Sequence, residues 1–393
     1  MVKLEDCVIV SAVRIPIGKF GGTLKDHKVY DLGAIAIKAA IEKAGIDPKI
    51  IDEVIMSHTR QDGTGTNPAR TAALKGGVPI SITAHTVNKV CAAGLKAVSL
   101  ATQAIRVGDA ECIIVGGMES MSNIPHILRG ARFGSFRLTD IVLEDAFLYL
   151  KCPFSGLTPG LIAEQTGKKY GISREEMDQI GFESHQKACK AWDEGVFDDE
   201  VVPMIIPATR KTSEKKFLID ECIRPDVDLD KMRKLKPAYK DSGIITAGQA
   251  SGITDGAGAM AMMTRQKAND LGLKPMAHII SYLFHGVDPG YFPEGPAITI
   301  PMHLKNANLT VDDIKYFEIN EAFAVVNAIC DKQGIPWEKQ NPHGGAISLG
   351  HPTGYSGARL TLHLANILEP GEYGLASACG GGGLTGSLII QGE

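Results

Sequence analysis

Eight cysteines are spread over 393 residues, at 7, 91, 112, 152, 189, 222, 330 and 379, and no two of them form a CxxC pair. That spacing argues against a structural zinc site. Scattered single thiols in a long chain fit a reducing cytosol, where most are buried as small apolar side chains. No apolar run reaches 18 residues, so no membrane-spanning helix is expected. The start lacks the basic head, apolar core and small-residue cleavage site of a secretory leader, and also the Arg- and Ser-rich character of a transit peptide. The last residues, Ile389-Ile390-Gln391-Gly392-Glu393, carry no lipidation or peroxisomal signal. A cytoplasmic protein is expected. Surplus positive charge is missing too: 41 Lys and Arg stand against 45 Asp and Glu, a net charge of −4. Nothing draws the whole chain to nucleic acid or to an anionic membrane.

What is present is ordinary globular composition, 44% apolar and 22% charged, which excludes a disordered or collagen-like chain. The length gives a prior of two to three domains. Glycine is abundant, 44 residues, and it clusters at a few places, which suggests tight turns and close backbone approaches. Strand-like and helix-like segments alternate, as in α/β layers. A first strand is expected from Cys7 to Ala12, and helices over 31–44, 91–106, 173–195, 321–332 and 356–368. Ser173 and Glu176 read as a capping box. The stretch 123–159, rich in Arg, Phe, Gly and Pro, reads as an inserted loop region, and 196–250 as surface excursions. Gly94 precedes Gly116 by 22 residues and Gly357 precedes Gly380 by 23, each time across a helix, a strand and a glycine-rich turn. That recurrence suggests two similarly folded halves, with chance spacing in a glycine-rich chain as the rival.

Four segments bear chemistry-capable residues: Val87 to Gly94 with Cys91, Asn320-Glu321-Ala322-Phe323, Gly344 to Gly357 with His351, and Cys379 followed by four glycines. Cys91 opens a helix, where the positive end of the dipole would lower its pKa and favour a thiolate. The other reading is a buried cysteine packed among alanines. His351 lies in a glycine-rich turn, where a lone histidine is more often structural. Cys379 ends a strand at a glycine run whose N–H groups can converge on an oxyanion, or it is a core cysteine at a tight turn.

Taken together, VNKVCAAGLKA, INEAFA, GGAISLGHPTGYSGARL and ACGGGG, in this order and at these separations, resemble the four signatures of the thiolases. SAVRIPIGKFGG, CIIVGGMESMSN and GIITAGQASGITDGAGA extend the resemblance over nearly the whole chain. The fold it implies is α/β, with two similar βαβαβ-type halves, mixed sheets between helix layers, and an inserted loop domain. The divisions expected are 1–118, an insertion at 119–250, 251–273 and 274–393. The activity implied is reversible condensation of acetyl-CoA with an acyl-CoA, or CoA-dependent cleavage of a 3-oxoacyl-CoA, through an acyl-cysteine. The resemblance makes Cys91 the nucleophile, His351 its base and Cys379 a second acid/base. Asn320 holds a water that shares the enolate oxygen with His351. The backbone N–H groups of Cys91 and Gly381 form the other oxyanion site. No metal or other cofactor is implied, since coenzyme A is a substrate. For CoA, Arg224 is matched to the adenine nucleotide and Ser251 to the pantetheine arm, with Tyr239, Ala247 and Phe323 lining the tunnel. The bland alternatives are a surface arginine and a turn serine.

Two segments depart from the family pattern. Thr158-Pro159-Gly160 stands where a Met-Gly segment is common, and Tyr291-Phe292-Pro293-Glu294 replaces another. Both are expected at the acyl pocket, with Phe292 and Pro159 as its walls; a surface turn at 290–294, with Glu294 in water, is the alternative. Acetoacetyl-CoA is the best single substrate guess, and a longer or unusual acyl chain the alternative. A decarboxylating 3-oxoacyl synthase is disfavoured, because it places a histidine where Asn320 stands and has no need of Cys379. A non-catalytic CoA-binding scaffold leaves both cysteines and the histidine unexplained, and a Cys-His-Asn peptidase leaves the second cysteine and the 3-oxoacyl signatures unexplained. A homo-oligomer is expected, a dimer or a dimer of dimers, with 123–159 as a contact.

Overall fold

Along β1 (Cys7–Arg14) alternate side chains enter different cores: Val8 and Val10 face one helix layer, Cys7 and Ile9 another. This period of two buries both faces of the strand. The structure is a computed structural model and describes residues 5–134, 138, 140–147, 151–208 and 213–393. The other strands are β2 (Gly18–Lys19), β3 (Glu53–Ser57), β4 (Thr83–Val87), β5 (Cys112–Ser120), β6 (His126–Leu128), β7 (Leu143–Asp145), β8 (Met204–Ile206), β9 (Lys215–Phe217), β10 (Thr254–Thr264), β11 (Ala277–Gly286), β12 (Ile314–Ile319), β13 (Tyr373–Gly380) and β14 (Leu384–Gly392). The helices are α1 (Val29–Ala44), α2 (Pro68–Lys75), α3 (Ala93–Val107), α4 (Pro159–Tyr170), α5 (Arg174–Asp193), α6 (Leu229–Arg233), α7 (Arg265–Asp270), α8 (Gly295–Ala307), α9 (Ala324–Lys332), α10 (Ala346–Leu349) and α11 (Thr353–Ile367).

Among the described residues, ten strands share one sheet in the order β12-β13-β14-β11-β1-β10-β5-β3-β4, with β2 beside β10. Pairing is mixed: β3 is parallel to β4 and β5, β12 is parallel to β13, and the remaining pairs are antiparallel. The two arrays meet edge to edge over only two residue pairs, Val8 with His278 and Ile9 with Ala277. The helix layers follow from three apolar clusters. One packs α1 and α2 on the first array, one packs α3 and α11 between the arrays, and one packs α4, α8 and α9 on the second.

The recurring glycines meet at the centre. A Cβ on Gly94 would lie 2.0 Å from the amide nitrogen of Ala358, and one on Gly357 would lie 2.7 Å from that of Leu95. The central helices α3 and α11 therefore cross through these two positions, at a separation that no side chain fits. The 18-residue stretch Val90–Val107, which contains α3, is long and apolar enough to cross a bilayer by length and composition. Its Leu95, Val98 and Ile105 are all buried in the central cluster, so it is a core helix.

Several boundaries differ from the sequence reading by one turn or less. α3 starts at Ala93 and α9 at Ala324, because the signature residues before each occupy irregular turns, whereas α11 starts earlier than read, at Thr353 directly after Pro352. The capping box forms: Ser173 Oγ accepts from Glu176 N at 3.1 Å, and Ser173 N donates to the Glu176 carboxylate at 2.6 Å. Thr158-Pro159 is no loop, since Pro159 opens α4, where its missing N–H costs nothing. The reading of 196–250 as surface excursions is corrected in part. Glu200 and Asp220 are fully buried and accept from the buried Arg14 at 2.5 Å and 2.7 Å, and His363 of α11 contacts Glu200 at 2.7 Å. A buried arginine requires counter-ions, and the excursion supplies both.

Four histidines, His185, His303, His343 and His351, are pushed down to about 4 from 6.5, chiefly by burial. Unfolded, each binds its proton near 6.5, so the unfolded chain takes up more protons than the fold between pH 6.5 and 4. Stability is therefore lost as pH falls through that window. Burial alone would raise Glu119 and Glu200, but His58 beside the first, and His363 and Arg14 beside the second, hold them at about 2. Their contribution is lost only as pH falls below 4.5. Calorimetry should find a Tm that declines steadily from pH 6.5 to 4.5. A flat Tm across that range would mean that these histidines charge without unfolding.

Candidate active site

The chemistry-capable residues sit at strand ends and helix starts. Cys91 lies in the turn between β4 and α3, Asn320 directly after β12, Cys379 near the end of β13 and His351 just before α11. β12 and β13 run parallel, so their carboxyl ends open on the same crevice. Val90 is held at φ +52°, an outlier for a β-branched residue that costs roughly 1–3 kcal/mol. The Asn88 side chain accepts from Val90 N at 3.0 Å, and Ala93 N donates to Val90 O at 2.9 Å. These bonds fix the turn that presents Cys91.

His351 Nε2 lies 3.2 Å from Cys91 Sγ, and its Nδ1 lies 2.6 Å from Ser356 Oγ. Ser356 has one hydroxyl hydrogen, and it is directed to Pro352 O at 3.0 Å. Its oxygen must then accept from Nδ1–H, which assigns the tautomer and leaves a lone pair on Nε2 facing the thiol. Asn320 Nδ2 is 3.4 Å from the same Nε2, while its Oδ1 is buried with no partner among the described residues. Cys379 is fully buried, and its thiol is close enough to Cys91 to interact with it electrostatically.

Burial pushes the Cys91 thiol up to about 11, against the pull of Arg60 and of the backbone N–H groups of Cys91 and Gly381. The lowered pKa read from the helix position is therefore corrected. Cys91 precedes α3 by two residues, and burial outweighs the partial charge of the helix end. Burial also raises Cys379 well above the ordinary thiol value, with the Cys91 and Cys330 thiols adding to it. At neutral pH the resting site thus holds two thiols and a neutral imidazole.

A cavity of about 240 Å³ is lined by Cys91, His351, Gly381, Ser251, Tyr239, Phe323, Phe292 and Pro159. A second, larger depression of about 520 Å³ is lined by Arg224 and Ala247 and shares Gly252 and Ile253 with the first. The two adjoin at Gly252 and Ile253, with Arg224 lining one and Cys91 the other. Tyr239 stands edge-on to Phe323, with centroids 6.0 Å apart. Ser251 Oγ donates to Ala322 O at 3.0 Å, so its hydroxyl hydrogen is already used by the chain. Phe292 is 3% exposed and Glu294 5%, which overturns the surface-turn alternative for 290–294.

The sequence reading assigned no role to three supporting residues. Ser356 lies five residues beyond His351 in the same signature, and it sets the tautomer. Glu119, within GGMESMSN, accepts from Thr353 at 2.9 Å, Gly354 N at 2.7 Å and Arg60 N at 3.2 Å, and lies 2.5 Å from His58. It ties the turn after β3 to the start of α11. Glu321, beside Asn320, accepts from Ser184 at 2.7 Å, Asn341 at 2.9 Å and Ile347 N at 3.1 Å, so the Asn320 turn and the His351 loop share one anchor. A carboxylate in an otherwise uncharged, apolar strand was the available signal for Glu119.

Comparison with known proteins is consistent along the whole chain. The family model for "Thiolase, N-terminal domain" matches residues 7–266, and that for "Thiolase, C-terminal domain" matches 273–392. A probable acetyl-CoA acyltransferase of Staphylococcus epidermidis is 46% identical over 388 residues, covering 98% of each chain. The crystal structure of the Bacillus anthracis acetyl-CoA acetyltransferase superposes with a TM-score of 0.95 at 37% identity, over 100% of both chains. That of human mitochondrial 3-ketoacyl-CoA thiolase in complex with CoA superposes with a TM-score of 0.94 at 36% identity, over 100% of this chain and 99% of the other.

Proposed function

The chain belongs to the thiolase family and is an acyltransferase, and from that premise we propose that it cleaves 3-oxoacyl-CoA with CoA, and runs the reverse condensation, through an acyl group on Cys91. The observation that carries the reading is the 3.2 Å contact between Cys91 Sγ and the unprotonated Nε2 of His351. A thiol at about 11 is a poor nucleophile by itself at neutral pH, so it needs a base in contact. An imidazole pushed down to about 4 is neutral and free to accept.

In cleavage, Nε2 takes the thiol proton as Sγ attacks the 3-oxo carbon. The oxyanion that forms is met by the N–H groups of Cys91 and Gly381, which already act on Sγ. Collapse breaks the bond between carbons 2 and 3, and its electron pair passes to the enolate of acetyl-CoA. Nε2–H and a water on the unpartnered Oδ1 of Asn320 hold the enolate oxygen. Cys379, kept protonated by burial, delivers its proton to carbon 2. CoA then enters and gives its thiol proton to the Cys379 thiolate. It takes the acyl group, and Cys91 recovers its proton from His351. Condensation is the same sequence reversed, and each step is assigned to residues of this chain.

The two adjoining cavities suit CoA, with the nucleotide end at Arg224 and the thioester at the cysteine. Exposed apolar side chains at Leu128, Phe133, Ile141, Val142, Leu143 and Phe154 support the 123–159 segment as a contact between copies, and with it a homo-oligomer.

The acyl end is walled by Phe292 and Pro159. A buried ring cannot vacate space as methionine does by changing rotamer. We therefore expect a narrow preference, with acetoacetyl-CoA best, and neighbouring chain lengths differing by roughly 10- to 200-fold in kcat/KM per methylene. Steady-state thiolysis of C4, C6, C8 and C10 esters by wild type and Phe292→Met tests this. A flat profile that the substitution leaves unchanged would remove this wall from selection.

A further inference from the structure

The short helical segment Pro289–Glu294, which carries Phe292, is fastened to α4 at several points. Gln165 Nε2 donates to Gly290 O. One turn further along the helix, Lys169 Nζ donates to the Glu294 carboxylate at 2.5 Å, and the neighbouring Tyr170 hydroxyl donates to the same oxygen at 3.0 Å. Lys169 Nζ also stands 4.5 Å from the centre of the Tyr291 ring. Glu294 precedes the first residue of α8 but makes no capping bond there; its carboxylate is directed wholly to α4. Its side chain is 6% exposed, whereas that of Lys169 is 45% exposed. The first turn of α4, at Pro159 and Gly160, lines the cavity that Phe292 closes. One end of α4 thus lines the acyl cavity, and the other end holds the segment whose Phe292 also lines it.

We propose that Glu294, clamped by Lys169 and Tyr170, is a positioning residue that sets the separation of the Phe292 and Pro159 walls and so limits the length of acyl chain accepted. This deepens, and rests on, the reading of the site as a 3-oxoacyl-CoA thiolase. The carboxylate touches no reacting atom. It acts through Phe292, because a segment two residues away is stiff only while its end is tied. A buried carboxylate held by a charged donor and a hydroxyl is a tie that resists solvent. Losing the lysine removes the opposite charge and leaves the Tyr170 hydroxyl alone on the carboxylate, and the segment gains freedom to move outward.

The test compares kcat and KM for thiolysis of C4, C6, C8 and C10 3-oxoacyl-CoA by wild type, Lys169→Met, Lys169→Arg and Tyr170→Phe. Exchange of labelled CoA with acetyl-CoA is followed in parallel. Lys169→Met should raise the C8:C4 ratio of kcat/KM about 10-fold, the scale of a single methylene, chiefly through KM for the longer ester. Lys169→Arg should restore the wild-type ratio, and Tyr170→Phe should shift it the same way by less. A ratio within twofold of wild type in both Lys169→Met and Tyr170→Phe overturns the proposal, as does a uniform fall for every ester. If Lys169→Met does not fold, Tyr170→Phe alone decides between those outcomes. Failure of wild type to exchange CoA or to cleave any of the esters would sink the thiolase reading itself, a result separate from any change of ratio.

Discussion

Cys91→Ala should leave no measurable thiolysis or condensation, a fall of about 10⁴-fold or more, since removing the nucleophile of an acyl-transfer site removes the covalent route altogether. Overpacking does not arise, because alanine is smaller, and Cys91 sits in a turn fixed by Asn88 and Val90 rather than by its own side chain. The fold should survive, and the loss should lie in kcat. Wild type incubated with acetyl-CoA alone should carry one acetyl group, located on Cys91 by mass spectrometry of its peptides. Two features direct it there. The His351 lone pair faces this sulfur, and the N–H groups of Cys91 and Gly381 surround it. An acetyl group found on Cys379 instead would reverse the roles given to the two cysteines.

Cys379→Ser should separate two activities that wild type performs together. Thiol and hydroxyl differ little in size, so the buried end of β13 should accept the change. A serine hydroxyl is a far weaker acid than even a thiol raised by burial, and at neutral pH it cannot exchange a proton with carbon 2. Carbon–carbon bond making and breaking should fall by about 10³-fold, within the 10²–10⁴ range of a lost acid/base. Transfer of acetyl between CoA thiols needs Cys91 and His351 and forms no carbanion, so labelled CoA should still exchange with acetyl-CoA at a reduced rate. The readout is the ratio of the two rates in one preparation. Equal loss of both would mean that Cys379 serves the acylation step as well, and the separate acid/base role would be withdrawn.

Much of this was legible in the chain because the relevant residues cluster within short signatures. His351 and Ser356 fall in one glycine-rich segment, and Asn320 and Glu321 are adjacent. The recurrence of Gly94 and Gly357 was legible as a spacing, and the structure shows its cause in the crossing of α3 and α11. Less legible were features that depend on distant partners. Pro159 read as a loop residue, yet it opens α4, since a proline suits the first helical position as well as a turn. Glu200 and Asp220 lie in the stretch read as surface excursions, because no local pattern announces that Arg14 is buried.

The sequence by itself determined the residue types available for chemistry, their order along the chain and the layered alternation of strand and helix. These are local properties, written in side-chain identity and in periods of two and of 3.6 residues. Only the tertiary structure decided the protonation states and the shape of the acyl cavity. Cys91 and His351 are 260 positions apart, and Lys169 and Glu294 are 125 apart. Burial, which raises the thiols and lowers the imidazole, is a sum over residues from every layer of the fold. A pKa read from the end of one helix therefore had the wrong sign at Cys91, where desolvation by the whole core outweighs a local dipole.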